Sequence, residues 1–487
     1  MTKVTVKHTS IEIQPYVLGQ SPSLEKQLTV WDKVNFKTVN VGLEYIEEEQ
    51  KLLIPRGIGI SFLEKEFNTT AFMDSKHDDV QHTKFKVNIK PRNDNQKEAI
   101  AYILGEGKYQ GNRKYSRHML TLDTGEGKTY CSVTALGFMQ MRAAIVVPKN
   151  GLMSQWEERL FQYTNITEWD IYRISGSKSI EKLMKMKDKD IKYKIFLISH
   201  STIRSYGDRN GWEAVTALFK KMRIGVKIYD EAHLHMHNML KMDLYSNTKY
   251  TLYLTATAGR SNHNEDYIYN RVFANIPNFF VHKEKEDNYM NMLILQYDSA
   301  PSGVLQATYR NMHGLDTNKY MDYCVEQKGS DLFFKSIFLV LDSIEQKLAE
   351  NPDMRIVFLL KKLTATRIVK EGILQRYPHF AGNIGMYTSD MKTKEKKEAQ
   401  LQKQIILSTT KSLGTGDDIP GLHYLVMCEP YRSEITAKQV SGRLRNIGDV
   451  TYLEIIDMGF SSCRDQFKAR KKFLLKRAKQ FTIVNVK

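Results

Sequence analysis

Residues 121–129, TLDTGEGKT, combine glycines, a lysine and a threonine in an order that suits phosphate binding. Gly125 and Gly127 let the backbone curl so that several N–H groups and the start of the following helix face one anion. Lys128 then reaches the β- and γ-phosphates of a nucleotide, and the Thr129 hydroxyl holds Mg²⁺. The strict loop motif begins with a glycine that this chain lacks, so a glycine-rich strand-to-helix turn is the alternative interpretation.

A second motif, GVKIYDEAH at residues 225–233, places two carboxylates directly after an apolar run. Asp230 can hold Mg²⁺ through water, and Glu231 can accept a proton from a water that attacks the γ-phosphate. An acidic pair at a strand end is by itself common surface chemistry. Its occurrence in a chain that also carries a phosphate loop favours the catalytic interpretation.

The composition is that of an ordinary globular protein. The chain has 487 residues, 41% of them hydrophobic and 26% charged, which excludes disordered and fibrous classes and predicts two or three domains. Lysine and arginine total 72 against 55 aspartates and glutamates, a formal net charge of +17. This excess favours a polyanionic partner, with nucleic acid ahead of an anionic membrane.

The four cysteines, at positions 131, 324, 428 and 463, lie far apart and form no CxxC pair. Their spacing predicts neither a zinc ribbon nor a disulfide framework, and it favours a reducing cytoplasm. The N-terminal segment alternates polar and apolar residues, and no apolar run approaches the roughly 18 residues of a membrane span. We therefore expect a cytoplasmic protein that neither enters a membrane nor is secreted.

Hydrophobic patterning divides the chain into three parts. Residues 1–88 alternate apolar and polar side chains and predict a small β-rich module. Residues 89–281 alternate short apolar runs with helical stretches, as buried parallel strands with crossover helices do, and residues 282–487 repeat this pattern. The predicted fold class is α/β, with two successive parallel-sheet domains. The charged segment at 282–288 is the predicted linker, and a solvated loop inside one domain is the alternative.

Five motifs stand in the order found in superfamily 2 helicases: GEGKT, DEAH, LTATAGR, STTKSLGTGDDIP and QVSGR. The chain resembles that family over residues 89–460. The resemblance implies two tandem RecA-like domains, ATP and Mg²⁺ in a cleft between them, nucleic acid across both, and cleft closure that drives translocation.

The layout, a small β-rich module before a two-domain motor, most resembles phage DNA helicases of the UvsW type and similar helicases of large DNA viruses. This closer resemblance implies DNA as the partner, in single-stranded, forked or branched form. It also implies remodelling of forks and four-way junctions in phage recombination, repair or replication, in the host cytoplasm and alongside phage recombination or replication proteins.

The resemblance also assigns individual residues around the nucleotide. Gln96 occupies the position that hydrogen-bonds the adenine base, with an ordinary helix-start glutamine as the alternative. His233, Thr255 and Thr257 match the residues that couple the ATP site to the nucleic-acid face, with a strand-end threonine pair as the alternative. The implied ATP-binding set is Gln96, Thr124, Gly125, Glu126, Gly127, Lys128, Thr129, Gly416 and Asp418.

The last motif departs from the family pattern. Gln439 and Arg443 match QxxGRxxR, and Arg443 stands where an arginine neutralises charge on the γ-phosphate in the transition state. The second arginine of the pattern falls at position 446, where this chain has Asn446. Arg445, one residue earlier, is the candidate replacement.

Two segments of the first α/β domain resemble those that contact the sugar–phosphate backbone. Their candidate contacts are Pro148, Lys149, Gln155, Ser201 and Thr202; loops that merely join strands to helices are the alternative. The stretch 464–481 places apolar residues at helical spacing among dense positive charge, so it predicts a basic terminal helix that either faces DNA or packs on the second domain.

Taken together, the sequence predicts an ATP-dependent DNA helicase or translocase. Its rivals are an RNA helicase, a duplex translocase that does not separate strands, and a non-catalytic clamp that binds ATP and nucleic acid. For residues 1–88 we expect a role in substrate recognition, and the alternative is a structural cap on the first α/β domain.

Overall fold

The computed structural model describes residues 2–32, 37–114, 116–122, 125–256, 263–281, 288–311, 314–326, 330–413, 419–444 and 448–487. The chain divides into two compact units, residues 1–282 and 283–487. In the described ranges, none of the helices combines the length and the apolar character that crossing a membrane requires.

The N-terminal part of the first unit is a small, mostly antiparallel sheet with one hairpin beside it. The strands are β1 (Lys3–Val6), β2 (Ser10–Gln14), β3 (Thr29–Asp32), β4 (Lys37–Asn40), β5 (Glu44–Ile46), β6 (Lys51–Pro55) and β7 (Phe72–Met73), with helices α1 (Pro22–Gln27) and α2 (Ile60–Phe67). The sheet order is β5-β6-β2-β1-β7, and only the β1–β7 pair is parallel. β3 and β4 form the hairpin.

This sheet shares its core with the parallel-sheet domain that follows it. Buried side chains such as Ile11 and Leu52 belong to one hydrophobic cluster with Leu240 and Val272. At Gly57 the approach is so close that a Cβ atom would lie 1.5 Å from the backbone oxygen of Val272. The N-terminal module is therefore separate in its sheet but not in its core.

The rest of the first unit is a seven-stranded parallel sheet. Its strands are β8 (Arg117–Thr121), β9 (Ala143–Val147), β10 (Ile171–Ile174), β11 (Ile195–Ser199), β12 (Val226–Tyr229), β13 (Tyr250–Thr255) and β14 (Asn278–Phe280), in the order β10-β11-β9-β12-β13-β8-β14. The helices are α3 (Asp94–Leu104), α4 (Lys128–Met139), α5 (Gly151–Tyr163), α6 (Ser177–Lys185), α7 (His200–Asn210), α8 (Trp212–Met222), α9 (Met236–Leu244) and α10 (His263–Phe273).

Two neighbouring strands of this sheet are almost wholly apolar. β9 reads AAIVV and β11 reads IFLIS, and every one of these residues is buried. A strand covered by helices on both faces loses the usual alternation of apolar and polar side chains. Because all of these strands run in parallel, their carboxyl ends meet at one edge of the sheet, where ligands bind in folds of this kind.

The second unit repeats the architecture with a second seven-stranded parallel sheet, ordered β19-β20-β18-β21-β22-β15-β23. Its strands are β15 (Met290–Tyr297), β16 (Arg310–Asn311), β17 (Gly314–Leu315), β18 (Arg355–Leu360), β19 (Ile384–Tyr387), β20 (Ile405–Thr409), β21 (Leu422–Met427), β22 (Val450–Asp457) and β23 (Ala478–Asn485). Its helices are α11 (Gly303–Thr308), α12 (Thr317–Glu326), α13 (Ser330–Glu350), α14 (Leu363–Arg376), α15 (Thr393–Gln402), α16 (Thr410–Leu413), α17 (Glu434–Ser441) and α18 (Ser461–Arg477). The short β16 and β17 pair with each other.

The C-terminal segment differs from the sequence prediction at its end. The basic helix α18 ends at Arg477, and residues 478–485 form β23 at the edge of the sheet, beside β15. The sequence AKQFTIVN explains the change, because phenylalanine, threonine, isoleucine and valine favour strands.

One arginine of α18 is fully buried instead of facing solvent. Arg470 Nη2 donates to Glu454 Oε2 over 2.7 Å, and Arg470 Nη1 donates to the backbone oxygen of Tyr431 over 2.5 Å. The hydroxyls of Tyr431 and Tyr452 also donate to the Glu454 carboxylate. This arginine fastens α18 to β22, so it is not part of a basic surface.

Replacing Arg470 with methionine is expected to destabilise the second unit by about 3–5 kcal/mol, because it leaves the Glu454 carboxylate buried without its cation. Calorimetric unfolding checks this. Lys472→Met, on the exposed side of the same helix, is the control and is expected to change stability by less than about 0.5 kcal/mol. Equal effects of the two substitutions would contradict a specific role for the buried pair.

Candidate ATP and nucleic-acid sites

The phosphate loop lies between the end of β8 and the start of α4. Gly125 and Gly127 both adopt left-handed backbone conformations, with φ of 91° and 95°. Lys128 and Thr129 are the first two residues of α4, so the helix begins directly after the second glycine. This arrangement directs the N–H groups of a helix start toward an anion that would lie in the loop. Thr124 lies outside the described residues.

Gln96 holds this loop from the side. It lies in the first turn of α3, which Asn93 caps by accepting a hydrogen bond from the backbone N–H of Gln96 over 3.0 Å. Gln96 Nε2 donates to the backbone oxygen of Glu126 over 3.0 Å, and Gln96 Oε1 accepts from the N–H of Arg92 over 2.9 Å. The glutamine predicted to contact adenine is thus also built into the wall of the phosphate loop.

Replacing Gly127 with alanine is expected to disrupt the loop. An added Cβ would lie 2.4 Å from Gln96 Nε2, and the φ of 95° is strained for any residue with a side chain. We expect weaker ATP binding and a destabilisation of about 1–3 kcal/mol, measured by nucleotide titration and thermal unfolding. Gly111→Ala is the control, since a Cβ there meets nothing within 4 Å; a Gly127 variant that binds ATP like this control would contradict the loop assignment.

Lys128, the lysine predicted to reach the phosphates, is buried in this structure. Its side chain bends back over the loop, and its Nζ donates to the backbone oxygen of Leu122 over 2.8 Å. The ammonium is thereby held within the curve of the loop that is predicted to receive phosphates.

The two carboxylates follow β12. The backbone N–H of Glu231 donates to Asp230 Oδ1 over 3.0 Å, and the indole Nε1 of Trp156 donates to Asp230 Oδ2 over 2.9 Å. Burial and the neighbouring Glu231 raise the pKa of Asp230 to about 6, while the Trp156 hydrogen bond and the positive charge of Lys128 oppose that shift. A bound cation would favour the ionised carboxylate further.

Glu231 and His233 form a contact that leads to the next strand. Glu231 has a φ of 47°, a left-handed conformation that is unusual for a residue other than glycine and that recurs at functional sites. His233 Nδ1 lies 3.4 Å from Glu231 Oε2 and 3.0 Å from the hydroxyl of Thr255, the last residue of β13. The structure therefore brings together two of the three predicted coupling residues. Thr257 lies outside the described residues.

The site suits Mg²⁺ by the chemistry of its donors. In nucleotide sites Mg²⁺ keeps several waters and uses only one or two protein oxygens besides the phosphates. Asp230 and Thr129 supply one carboxylate and one hydroxyl at the same sheet edge. Across the described ranges, no group of three or more histidine, cysteine or acidic side chains converges as a denser metal site would require.

The predicted nucleic-acid contacts lie after β9 and β11, two adjacent strands of the sheet, of which β9 also pairs with β12. Lys149 and Gln155 are partly exposed and Ser201 is exposed, whereas Pro148 is buried. Thr202 is also buried, and its hydroxyl lies 2.7 Å from that of Ser199, the residue that caps α7. Thr202 thus helps to build the start of α7.

The second unit is described only in part at its motifs. Arg443 is buried just beyond the end of α17. Gln439 lies in α17, but its side chain is outside the described part. Gly416, Asp418 and Arg445 also fall outside the described residues.

Trp156 ends a segment, residues 146–156, that resembles a backbone-contacting segment, but the sequence assigned it no role at this site. It directly follows Gln155 on α5, yet its partner Asp230 lies 74 positions later in the chain. Only the adjacency of β9 and β12 in the sheet brings the two together.

Comparison with known proteins adds a family match and remote relatives. Residues 88–260 match the family described as type III restriction enzyme, res subunit. The chain is 23% identical over 411 residues to the transcript termination protein A18 of Yaba-like disease virus, covering 81% of this chain and 78% of that protein. It is 24% identical over 252 residues to a protein of Haloarcula marismortui named as a DNA 3'-5' helicase, Rad25, covering 51% of this chain but 35% of the relative.

The fold is also similar to that of a protein of known structure. The S. cerevisiae protein Dbp5, bound to RNA and ADP BeF3, superposes with a TM-score of 0.52 at 12% identity, covering 80% of this chain and 89% of that one. Together with the two parallel sheets, this likeness supports a fold of two RecA-like domains.

Proposed function

We propose that this protein is an ATP-dependent DNA helicase or translocase. The observation that carries the proposal is the carboxylate pair Asp230 and Glu231, held at the same sheet edge as the phosphate loop and its lysine. A clamp that only binds ATP has no need of a proton acceptor beside the γ-phosphate, so the intact pair favours a hydrolase.

Each residue has a distinct role in this proposal. Lys128 offsets charge on the β- and γ-phosphates, Glu231 accepts the proton of the attacking water, and Arg443 neutralises charge that develops in the transition state. Asp230 and Thr129 hold Mg²⁺. When bound, Mg²⁺ supplies further positive charge at the phosphates. Hydrolysis is coupled to movement along the strand through His233 and Thr255.

DNA is the proposed polyanion. Lys149, Gln155 and Ser201 lie after neighbouring strands of the sheet, where a strand of nucleic acid would be positioned by contacts to its backbone and not to its bases. The net charge of +17 supports such binding, which should weaken steeply with salt as counterions are released. In this proposal residues 89–281 and 282–487 are the motor domains, and forked and four-way DNA are the preferred substrates.

The N-terminal module, residues 1–88, is proposed to contribute to the choice of branched DNA. Because it shares its core with the first motor domain, deleting it would expose apolar side chains, so its surface charge is the better test. Lys3 is exposed, whereas Lys7 and Lys51 form ion pairs with Glu12 and Glu49. Lys3→Glu should therefore lower the preference for forks over linear duplex if the module contacts DNA.

A second candidate function is displacement of a nascent transcript. It is favoured by the viral relative named as a transcript termination protein, which matches over most of this chain. For this second function, ATP hydrolysis uses the same residues as in the first proposal. The nucleic-acid substrate is then RNA paired with DNA.

The experiment that tests both candidates is ATPase activity measured side by side with single-stranded DNA, linear duplex, forked DNA, RNA and an RNA–DNA hybrid. Stimulation by forked DNA and strand separation with DNA alone support the first proposal. Stimulation by the hybrid with release of its RNA supports the second. Absence of hydrolysis with every substrate, at saturating Mg·ATP, would contradict both and favour the clamp.

A further inference from the structure

The carboxylate of Asp230 is fixed from two sides. Trp156 Nε1 donates to Oδ2 over 2.9 Å, and the N–H of Glu231 donates to Oδ1 over 3.0 Å. Each oxygen of an ionised carboxylate has two acceptor sites, so each keeps one for another ligand. The two donors set the plane and the direction of the carboxylate while leaving it able to bind.

The Trp156 indole is held in place by the core. Its side chain is 2% exposed and belongs to the same hydrophobic cluster as Leu152 and Leu160 of α5 and Val147 of β9. A residue packed in this way has little freedom to turn, so the direction of its N–H is set by the fold. The indole therefore acts as a rigid donor toward the strand end that carries Asp230.

Trp212 shows that this pairing is not a general property of buried indoles in the protein. It is 7% exposed, and its Nε1 has no hydrogen-bond partner among the described residues. The fold thus tolerates one buried indole without an acceptor while directing the other at a functional carboxylate. The contrast also supplies a matched control, since the same substitution can be made at both tryptophans.

We propose that Trp156 is a positioning residue for the metal-holding carboxylate of the ATP site. The inference rests on the proposed function and gives a role to a residue that the sequence resemblance left without one. Donors behind a metal-binding carboxylate set its orientation, and their loss typically lowers metal affinity by about 10–100-fold. Trp156 should therefore act on Mg²⁺ affinity through Asp230, without itself touching the nucleotide.

The test is Trp156→Phe, which removes the N–H and keeps most of the apolar volume. The Mg²⁺ concentration needed for half-maximal ATPase activity should rise by about 10–100-fold. A second readout does not depend on turnover: a fluorescent ADP analogue should bind the variant normally in EDTA, while the gain in affinity on adding Mg²⁺ shrinks. Trp212→Phe should change neither quantity.

Two further measurements separate positioning from packing. A benzothiophene analogue of tryptophan at position 156 keeps the indole shape and lacks only the N–H, so it should reproduce the Mg²⁺ effect even if the phenylalanine variant folds poorly. In an Asp230→Asn background, the further effect of Trp156→Phe on Mg²⁺-dependent ADP binding should disappear.

Parent-like Mg²⁺ dependence in both Trp156 variants would overturn the proposal, as would an undiminished effect in the Asp230→Asn background. Failure of the proposed function is distinguishable, because it would appear in the parent protein as an absence of ATPase activity.

Discussion

Lys128→Ala is expected to abolish ATP turnover while leaving the protein folded. The substitution removes the cation predicted to meet the β- and γ-phosphates, and loss of one such charge-stabilising group lowers kcat by about 10²–10³-fold. In this structure the lysine donates to the backbone oxygen of Leu122. Losing one hydrogen bond of this kind destabilises the fold by only about 1 kcal/mol. Steady-state ATPase assays and thermal unfolding, measured on the same preparation, separate the two effects.

Lys97→Ala is the matched control for this substitution. Lys97 lies on α3 beside the phosphate loop, but its side chain is 64% exposed and pairs with Asp94 at the surface. Such a pair stabilises a protein by about 0–1 kcal/mol, and its loss should leave ATPase activity unchanged. A Lys128 variant that turns over ATP at the rate of this control would show that the nucleotide binds elsewhere.

The architecture was accessible from the sequence because its signals are local. Runs such as AAIVV and IFLIS are too apolar for half-exposed strands, and their spacing leaves room for crossover helices, so two parallel-sheet domains follow. The order of the strands in each sheet, by contrast, cannot be predicted from local patterns. β8 lies between β13 and β14, and this adjacency depends on packing between segments far apart in the chain.

The features that the sequence did not predict have the same origin. Residues 478–481 end the stretch predicted to be helical, yet residues 478–485 complete the edge of a sheet whose neighbouring strand, β15, lies nearly 200 residues earlier. The helical spacing of apolar residues in the sequence does not show that the distant strand β15 needs a partner at the edge of the sheet. The core shared between residues 1–88 and the first parallel sheet is likewise invisible to a pattern that sees only alternation within each strand.

The candidate site divides along similar lines. Gly127, Lys128, Asp230 and Glu231 were identified from the sequence because phosphate and proton-transfer chemistry restrict residue type and spacing. The residues that hold this site in place were not identified in the same way. The hydrogen bond from Gln96 to the loop joins residues 30 positions apart, and the one from Trp156 to Asp230 joins residues 74 positions apart. Such supporting contacts depend on which strands are neighbours and not on a motif.

Glu231→Gln is expected to keep ATP binding and lose hydrolysis. The amide has nearly the shape of the carboxylate but cannot accept the proton of the attacking water, so kcat should fall by about 10²–10⁴-fold. Affinity should persist, because the phosphate loop and Lys128 are unchanged. The assay is single-turnover hydrolysis combined with equilibrium binding of ATP.

The substitution Glu231→Gln is expected to leave the folded structure intact. Glu231 is held in a left-handed backbone conformation by its place after β12, and glutamine occupies that conformation with the same backbone strain. Its side-chain neighbour His233 lies 3.4 Å away and can contact an amide oxygen as it does the carboxylate. Stability should therefore change little, and a loss of activity would report on proton transfer.

Glu181→Gln, an exposed glutamate on α6, is the control and should retain parent activity. If Glu231→Gln weakened ATP binding as much as it slowed hydrolysis, Glu231 would be a binding group and not the base. If it left both unchanged, the proton would leave through another acceptor. The expected pattern, a stable ATP complex that does not turn over, would also provide the trapped state in which contacts to nucleic acid can be measured without hydrolysis.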